Sequence, residues 1–496
     1  MPSPDLVCLT PEHNPLPDSQ PIAASCVLRS RLDSDAFALE HRSETYLFSP
    51  TTRSFARVSM RLADLVRRFD GSRDAGTVLR EAGHGRESLP VLGALARCGV
   101  LWSDAFGSIR PPKAVQPEPV FTVMPTTACQ LRCVYCYSDS EDPKSGRFLD
   151  RRAFSVALDA FLAEIFRFAP RARLAFHGGG EPTLDFRLMR DLVRVFRERC
   201  EVSWIAPSFL LTTNGTFGAD TCSFLIENGF DCRVSLDGTA AVQDSQRPLR
   251  NGGPSFGRAI SNIRRLVGAG RKVGIRPTVT ASGVGRMVET IELAAAEGIV
   301  SVHFAKLIDS DRARASGLCA PDSEAFAEGF SNAFRRGLEL GVAVQGEGSY
   351  CLGGRKHRYC GACGLNWVLS ASAHVSMCTE IQGPSDPGAE QFLIGRVDLE
   401  SGRLETIPGV RERLSRRSVG NLPGCASCWL KYSCAGECPL QAQRRTGDVM
   451  KTASPACDTI RRMNADVVAQ LVHSNAPCPP PGLGRPVAYK RVSLEL

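Results

Sequence analysis

Cys129-Gln130-Leu131-Arg132-Cys133-Val134-Tyr135-Cys136 sets three thiols at C-x3-C-x2-C spacing. Three thiolates are one short of the four that close a structural zinc site. Thiolates also hold iron–sulfur clusters, one cysteine per iron. A four-iron cluster on three ligands keeps one iron open for a small molecule. The apolar, β-like stretch Val120 to Val123 lies just upstream, so the cysteines belong on a loop at a strand's end. A zinc site built on these cysteines wants a fourth His or Cys nearby, and the next forty residues hold neither.

The 496-residue length suggests two to four domains. Apolar residues at 43% and charged residues at 23% are ordinary for a soluble globular chain. The net charge of +8 is modest, and the short basic runs Arg312 to Arg314 and Arg355 to Arg358 read as solvated surface. Nucleic acid is therefore not an expected partner. Twenty cysteines are the outlier. The start Met1-Pro2-Ser3-Pro4-Asp5 lacks a signal-peptide pattern, and no stretch is apolar for long enough to span a membrane. The expectation is a cytoplasmic chain whose clustered cysteines serve metal rather than disulfides.

Residues 1–34 are Pro-rich and polar and read as a disordered extension. Residues 35–103 read as a small α+β domain. Its strands are Ala36 to Leu39 and Thr45 to Phe48, and Leu62, Leu65, Val66 and Phe69 carry helical spacing up to Asp70-Gly71. Leu92 and Leu95 suggest a further helix that closes on Val100-Leu101. Residues 104–117 look like a linker. From 118 onward strands alternate with helices. Strands are expected at 120–125, 172–177, 208–213, 232–236, 273–280 and 300–306, and helices at 151–167, 186–198, 256–269 and 284–297. Such alternation gives parallel βα units with chemistry at the strands' C-terminal ends.

Those ends carry motifs. The second strand runs into His177-Gly178-Gly179-Gly180-Glu181-Pro182. Glycines let a ligand approach the backbone, and Glu181 could accept from an ammonium group. His177 reads as loop support rather than chemistry. Asn214-Gly215 and Ser235-Leu236-Asp237-Gly238 end the third and fourth strands, where turn chemistry is the plain reading. Arg276 ends part of the fifth and could clamp a carboxylate with two parallel hydrogen bonds.

These motifs, in this order, resemble the radical S-adenosylmethionine (SAM) enzymes. The resemblance implies an α/β fold with a partial (β/α)6 barrel over 118–345. It implies a SAM-binding 4Fe-4S cluster on Cys129, Cys133 and Cys136, with the aromatic Tyr135 before the third cysteine. Gly179, Gly180, Glu181, Asn214, Ser235 and Asp237 would contact SAM, with Asp237 on the ribose. Ser255 and Arg276 would hold the SAM carboxylate, as in sulfatase-maturating relatives.

A second cysteine field follows residue 350. Its tightest run is Cys425-x2-Cys428-x5-Cys434-x3-Cys438, with Cys457 beyond and Cys351, Cys360, Cys363 and Cys378 upstream. A zinc ribbon on 425–438 would use four of these and leave the rest idle. The 2-5-3 spacing resembles the SPASM domain of radical SAM peptide maturases, here 346–460, which carries two auxiliary clusters. By that resemblance Cys425, Cys428, Cys434 and Cys457 hold one cluster. Cys438 crosses over to Cys378 and two of Cys351, Cys360 and Cys363. That makes three 4Fe-4S clusters in all. Ala373 stands where the family has glycine. Residues 461–496 read as a C-terminal helix and a disordered tail. Cys8, Cys26, Cys98, Cys200, Cys222, Cys232, Cys319 and Cys478 lack ligand spacing and mostly read as small core residues.

The 35–103 pattern resembles the winged-helix-like precursor-recognition domain of peptide-modifying enzymes, which takes an extended leader as an added strand. Together these resemblances imply an enzyme that cleaves SAM to a 5′-deoxyadenosyl radical. It would install a thioether, carbon–carbon or carbon–oxygen crosslink in a ribosomally made precursor peptide. A flavodoxin or ferredoxin would donate the electron. The alternatives are a formylglycine-generating sulfatase maturase and a non-catalytic iron–sulfur or zinc scaffold. The maturase places an acidic base directly after the cysteine matching Cys378. Here Thr379 stands there and Glu380 follows, the candidate catalytic base.

Overall fold

The computed structural model describes residues 6–11, 22–32, 36–104, 118–346, 348, 356–452, 454–474 and 489–494. The chain opens with β1 (Leu6–Pro11), β2 (Val27–Ser30), β3 (Phe37–His41), β4 (Glu44–Ser49), β5 (Ser54–Val58), α1 (Met60–Arg67), β6 (Asp70–Asp74), α2 (Ala75–Glu81), α3 (Leu89–Arg97) and β7 (Leu101–Trp102). The central part is β8 (Val120–Val123), α4 (Arg151–Ile165), β9 (Arg171–Phe176), α5 (Phe186–Val202), β10 (Ala206–Thr213), α6 (Ala219–Glu227), β11 (Asp231–Val234), α7 (Ala240–Gln246), α8 (Phe256–Gly268), β12 (Val273–Ile275), β13 (Thr278–Val279), α9 (Met287–Ala296), β14 (Ser301–Lys306), α10 (Asp311–Ala315), α11 (Ser323–Leu340) and β15 (Ala343–Gly346). The last part is β16 (Asn366–Leu369), β17 (His374–Ser376), β18 (Leu393–Asp398), β19 (Arg403–Thr406), α12 (Val410–Ser415), α13 (Lys431–Cys434), α14 (Pro439–Thr446), α15 (Ser454–His473) and β20 (Tyr489–Leu494).

Asp150, Asp185 and Asp322 start α4, α5 and α11, each accepting from backbone N–H groups of the first turn. Each such cap is worth about 1 kcal/mol. Gly341 ends α11 at φ 71°, the left-handed position that glycine takes without penalty.

One sheet carries the central part, in the order β14-β12-β11-β10-β9-β8-β16, all parallel, with β15 parallel on the far side of β14. The six expected strands are present. The fifth is split, because Pro277 has no N–H for the ladder and separates β12 from β13. Arg276 is left at that break, with its own N–H bonded to the Val234 carbonyl. Two parallel strands that the sequence did not mark, β15 and β16, extend the sheet. β16 lies against β8 with Asn366 opposite Val120. It continues antiparallel into β17, β18 and β19, so the cysteine-rich part grows from the barrel's edge strand.

The amino-terminal part has its own core of Leu62, Leu65, Val66, Val78, Leu92 and Leu95. Strand β4 serves two cores. Leu47 packs into this one, while Tyr46 and Phe48 turn toward the main core. Phe48 meets Trp429 edge to face at 5.7 Å. His41 pairs with Asp466 at 2.9 Å, and Glu44 with His473 at 2.7 Å, both on α15. Asp70-Gly71 begins β6 rather than ending a helix, since α1 already stops at Arg67.

Several expectations of disorder are corrected. Residues 6–11, within the 1–34 extension, form β1, which pairs antiparallel with β5 and with β20. Residues 27–30 also form a strand, and 489–494 do so within the expected tail. Composition misses these because the pairing partners are distant in sequence. Residues 12–21 and 475–488, and the linker 105–117, lie outside the described residues. Helix α15 starts at Ser454, before the expected boundary, and carries Cys457. Cys98 is disulfide-bonded instead of a free core thiol. Among the described residues no helix is long and apolar enough to cross a membrane.

Candidate active site

The cysteine loop follows β8 and is sewn down on two sides. On one side the N–H groups of Gly180 and Glu181 donate to the Thr126 and Ala128 carbonyls, each at 2.8 Å. A Cβ on Gly180 would lie 1.9 Å from the Ala128 carbonyl oxygen, so only glycine fits. A Cβ on Gly179 would meet the Gln382 side chain at 2.1 Å. Gly180 is required by the protein's own packing, a role the sequence assigned to an incoming ligand, whereas a side chain on Gly179 would displace only the flexible end of Gln382. On the other side the stretch 246–250 laces along the loop. Arg132 N–H donates to Pro248, Val134 N–H to Gln246, and Arg250 N–H to Gln130. The Arg250 guanidinium adds bonds to the Cys129 carbonyl at 2.6 Å and the Ser140 carbonyl at 2.7 Å.

Two buried carboxylates anchor this frame. Glu181 accepts from Thr213 Oγ1 at 2.6 Å, Asn214 N–H at 2.7 Å and Thr183 Oγ1 at 2.7 Å. Asn214 in turn points its amide at Cys129 Sγ, 3.7 Å away. Burial pushes the Glu181 carboxyl up, against the pull of these hydrogen bonds. Asp237 accepts from the Tyr135 hydroxyl, from Gln246 Nε2 at 2.8 Å and from Thr278 N–H at 2.9 Å. It also forms an ion pair with Arg247 at 3.0 Å, and its side chain has no exposed surface. The Arg247 guanidinium lies 5.2 Å from the Tyr135 ring centre. Asp237 is thus occupied inside the protein, tying Tyr135 to the end of β11.

The three thiols open on a cavity of about 230 Å³. Tyr135, Gly179, Gly180, Glu181, Asn214, Ser235 and Arg276 line it, as the sequence reading expects. Two expected contacts do not. Asp237 faces a neighbouring crevice. Ser255 is fully buried beneath α7, where its hydroxyl accepts from Gln243 at 3.1 Å and its N–H donates to Asp244. Both look like loop-end ligands in sequence, because their neutralising partners come from turns elsewhere. The cavity also takes in Tyr137, Arg247 and Lys306, which sequence reasoning passed over, and His177, which it read as loop support. His177 directly follows β9, and only its strand-end position signals a site. Burial and the nearby Arg276 charge hold its imidazole neutral, at about 4. Thr379 and Glu380 supply part of the wall from the cysteine-rich part, and Glu380 is held by Arg444 of α14 at 2.7 Å. Burial lifts the Cys129 thiol to about 11, helped by Glu181, and the Cys133 thiol to about 12.

The second cysteine field divides into two groups. Cys425, Cys428, Cys434 and Cys457 line one small cavity of about 20 Å³. Arg461 donates to the Cys428 thiol, and the Gly436 and Glu437 N–H groups donate to Cys434. Cys438 leaves this group. Three successive left-handed residues, Ala435 (φ 58°), Gly436 (φ 93°) and Glu437 (φ 55°), turn the chain between Cys434 and Cys438. Left-handed non-glycine residues cost roughly 1 kcal/mol each. Cys438 does not line that cavity. Burial raises the Cys438 thiol to about 12, and Cys360 adds to the rise. Cys363 is raised to about 11 by burial, with a contribution from Cys438. Cys378 is raised by burial, then by Glu380, Cys438 and Cys360. Charge interactions among the thiols place Cys360, Cys363, Cys378 and Cys438 in one electrostatic neighbourhood, with Cys360 exposed, while Cys351 lies outside the described residues. Cys438 lies outside the cavity that Cys425, Cys428 and Cys434 line, which counts against a zinc ribbon on 425–438. Among the described residues no three His, Cys, Asp or Glu side chains lie close enough to share one metal ion. Ala373 adopts φ 63°, the conformation glycine would take more cheaply.

Residues 123–303 match the model of the Radical SAM superfamily. The chain is 26% identical over 379 residues to the pre-heme d1 synthase of Dinoroseobacter shibae, covering 70% of this chain and 88% of that one. It is 24% identical over 367 residues to the serine-type anaerobic sulfatase-maturating enzyme of Klebsiella pneumoniae, covering 69% and 86%. The fold is similar to that of anSMEcpe solved with bound AdoMet and the Kp18Cys peptide. There the TM-score is 0.57 and the identity 16%, with 72% of this chain and 99% of that chain covered.

Proposed function

We propose, on the premise of the radical SAM domain at 123–303, that this chain is a SAM-cleaving peptide maturase with two auxiliary iron–sulfur sites. The observation that carries the reading is the shared cavity. Three thiols form one wall, and Thr379 and Glu380, next to Cys378 of the second field, form another. A reaction centre between two electron-carrying sites suits an oxidative bond-forming step on a bound substrate.

The donor set fits a four-iron cluster open at one iron. It offers three cysteines on a loop locked by backbone hydrogen bonds, with a cavity beside them and no fourth thiol from the loop. A reduced cluster and SAM bound there would supply a 5′-deoxyadenosyl radical for hydrogen abstraction. The residues of this chain bind and orient. Arg276 offers a fork of donors for the SAM carboxylate. The backbone of Gly179 and Gly180 and the hydroxyl of Ser235 offer polar contacts along the wall. Neutral His177 can donate or accept one hydrogen bond without adding charge. Glu380, steered by Arg444, is placed to accept a proton from the substrate. In the second field each of the two groups supplies four thiols, enough for one auxiliary cluster apiece.

A peptide substrate is supported by the Klebsiella relative, named as sulfatase-maturating, and by the peptide bound in anSMEcpe. The small α+β unit at the amino-terminal end would receive a leader segment. The precursor would undergo a thioether or carbon crosslink, with the electron drawn from a flavodoxin or ferredoxin. Formylglycine formation on a sulfatase peptide is the second reading, favoured by the Klebsiella similarity. Thr379 in place of an acid directly after Cys378 counts against it.

The test is a SAM-cleavage assay under dithionite, then incubation with the Kp18Cys peptide. 5′-Deoxyadenosine from the wild type and none from the Cys129→Ala/Cys133→Ala/Cys136→Ala variant is the expected result. Cleavage surviving in that variant would contradict the site. Formylglycine in the peptide product would move the assignment to the second reading.

A further inference from the structure

Arg417 is the largest fully buried side chain among the described residues, at 1% exposure. A buried guanidinium normally faces a carboxylate. Among the described residues this one reaches only backbone carbonyls, with Nε on Val449 and Nη2 on Gly436 at 2.7 Å and Lys451 at 3.4 Å. Its Nη1 is buried and finds no hydrogen-bond partner among the described residues. Leaving a charged donor unsatisfied in the interior is costly, so the surroundings must repay it.

The carbonyls it grips identify what those surroundings are. Gly436 is the middle of the left-handed turn between Cys434 of one thiol group and Cys438 of the other. Val449 and Lys451 lead to Cys457. Arg417 itself follows α12, which packs against the short turn Gly361–Cys363. The charge thus sits at the joint between the two groups. Thiolate-bound iron–sulfur clusters are net anions, and each electron taken up adds negative charge. Nearby positive charge and hydrogen bonds raise their reduction potentials.

We propose that Arg417 is a shared counter-charge of two auxiliary iron–sulfur centres, a positioning residue that also pins the turn from Cys434 to Cys438. The inference rests on the reading of residues 360–457 as two cluster sites. On it, the cost of burying an unpaired guanidinium is offset once both sites are filled. Loss of the charge makes each centre harder to reduce by one electron.

The experiment uses the full-length chain with Cys129, Cys133 and Cys136 replaced by Ala, so that only auxiliary iron is seen. After anaerobic reconstitution, iron is counted and a dithionite titration is followed by electron paramagnetic resonance. About eight irons per chain are expected in this background. Adding Arg417→Met should shift both midpoint potentials to more negative values, and Arg417→Lys should return them toward the parent. Unshifted potentials in the Met variant with full iron would overturn the inference and leave the two cluster sites standing. If the Met variant loses iron, the Lys variant decides. Retained iron and parental potentials support the counter-charge, whereas equal loss in both overturns it in favour of shape alone. A parent without auxiliary iron overturns the reading of the field itself, and the inference with it.

Discussion

Cys129, Cys133 and Cys136 share an opening of about 230 Å³, whereas Cys425, Cys428, Cys434 and Cys457 close on about 20 Å³. The first region is a loop held by backbone hydrogen bonds from both neighbours, which leaves its thiol face free. The second is wrapped by its own turns, with N–H groups and Arg461 aimed at sulfur. An open donor set admits a ligand that changes during a reaction. A closed one holds an inorganic core and passes electrons. On the proposed reading the same residue type would serve two purposes because the surrounding backbone differs.

The largest effect that could break this comparison comes from the cysteines themselves. Replacing the three loop cysteines should abolish 5′-deoxyadenosine formation. Replacing Cys425 and Cys428 should remove about four irons and spare SAM cleavage. Chromatography of the nucleoside and an iron count check both. Loss of cleavage in the second variant would mean that the two regions are not separable.

Asp237 sharpens the comparison next. Asp237→Asn leaves Arg247 buried against Tyr135 without its charge partner, which costs roughly 3 kcal/mol. Thermal unfolding should shift down, and iron in the loop should fall while iron in the second field holds. An unchanged midpoint would show that Arg247 finds solvent instead.

The motif glycines give a smaller, internally controlled effect. Gly180→Ala forces a Cβ into the Ala128 carbonyl, at a cost of about 1–3 kcal/mol. Gly179→Ala meets only the flexible end of Gln382 and should cost less. Equal losses of SAM cleavage in the two variants would argue that both glycines serve the ligand rather than the loop.

The smallest effect concerns how the amino-terminal unit docks on α15. Burial raises the Glu44 carboxyl, but hydrogen bonds from Tyr46, His473 and Arg57 outweigh it and hold it at about 2, below the usual 4.5. A depressed carboxyl stabilises the fold fully above pH 4.5, and that contribution fades as pH falls toward 2. The group is largely solvated, so screening keeps the effect small. Limited proteolysis between this unit and the barrel should accelerate as pH is lowered through that window. Glu44→Gln should flatten the dependence.

Much of this was legible from local sequence. The strand and helix periods of the barrel, the C-x3-C-x2-C loop and the 2-5-3 cysteine spacing are short-range signals, and short-range signals survive without a fold. Asp237 and Ser255 carry protein partners that the sequence could not show, because a loop-end polar residue looks the same whether its partner is a ligand or Arg247 and Gln243. β16 was missed because its partner, β8, lies more than two hundred residues upstream. The break at Pro277 was visible in principle, since proline cannot serve a central strand. Ala435 and Glu437 give no hint of positive φ, so the turn that divides the two thiol groups had to be seen. Arg417 follows Arg416 in the sequence, where nothing marks it out, and only the structure buries it.

The central claim is that one open and two auxiliary iron–sulfur sites serve a SAM-cleaving enzyme. Anaerobic reconstitution of the wild-type chain, with iron, sulfide and zinc counted and SAM cleavage measured in the same preparation, tests it most directly. About twelve irons per chain together with 5′-deoxyadenosine is the predicted result. Bound zinc with little iron and no nucleoside product would contradict it.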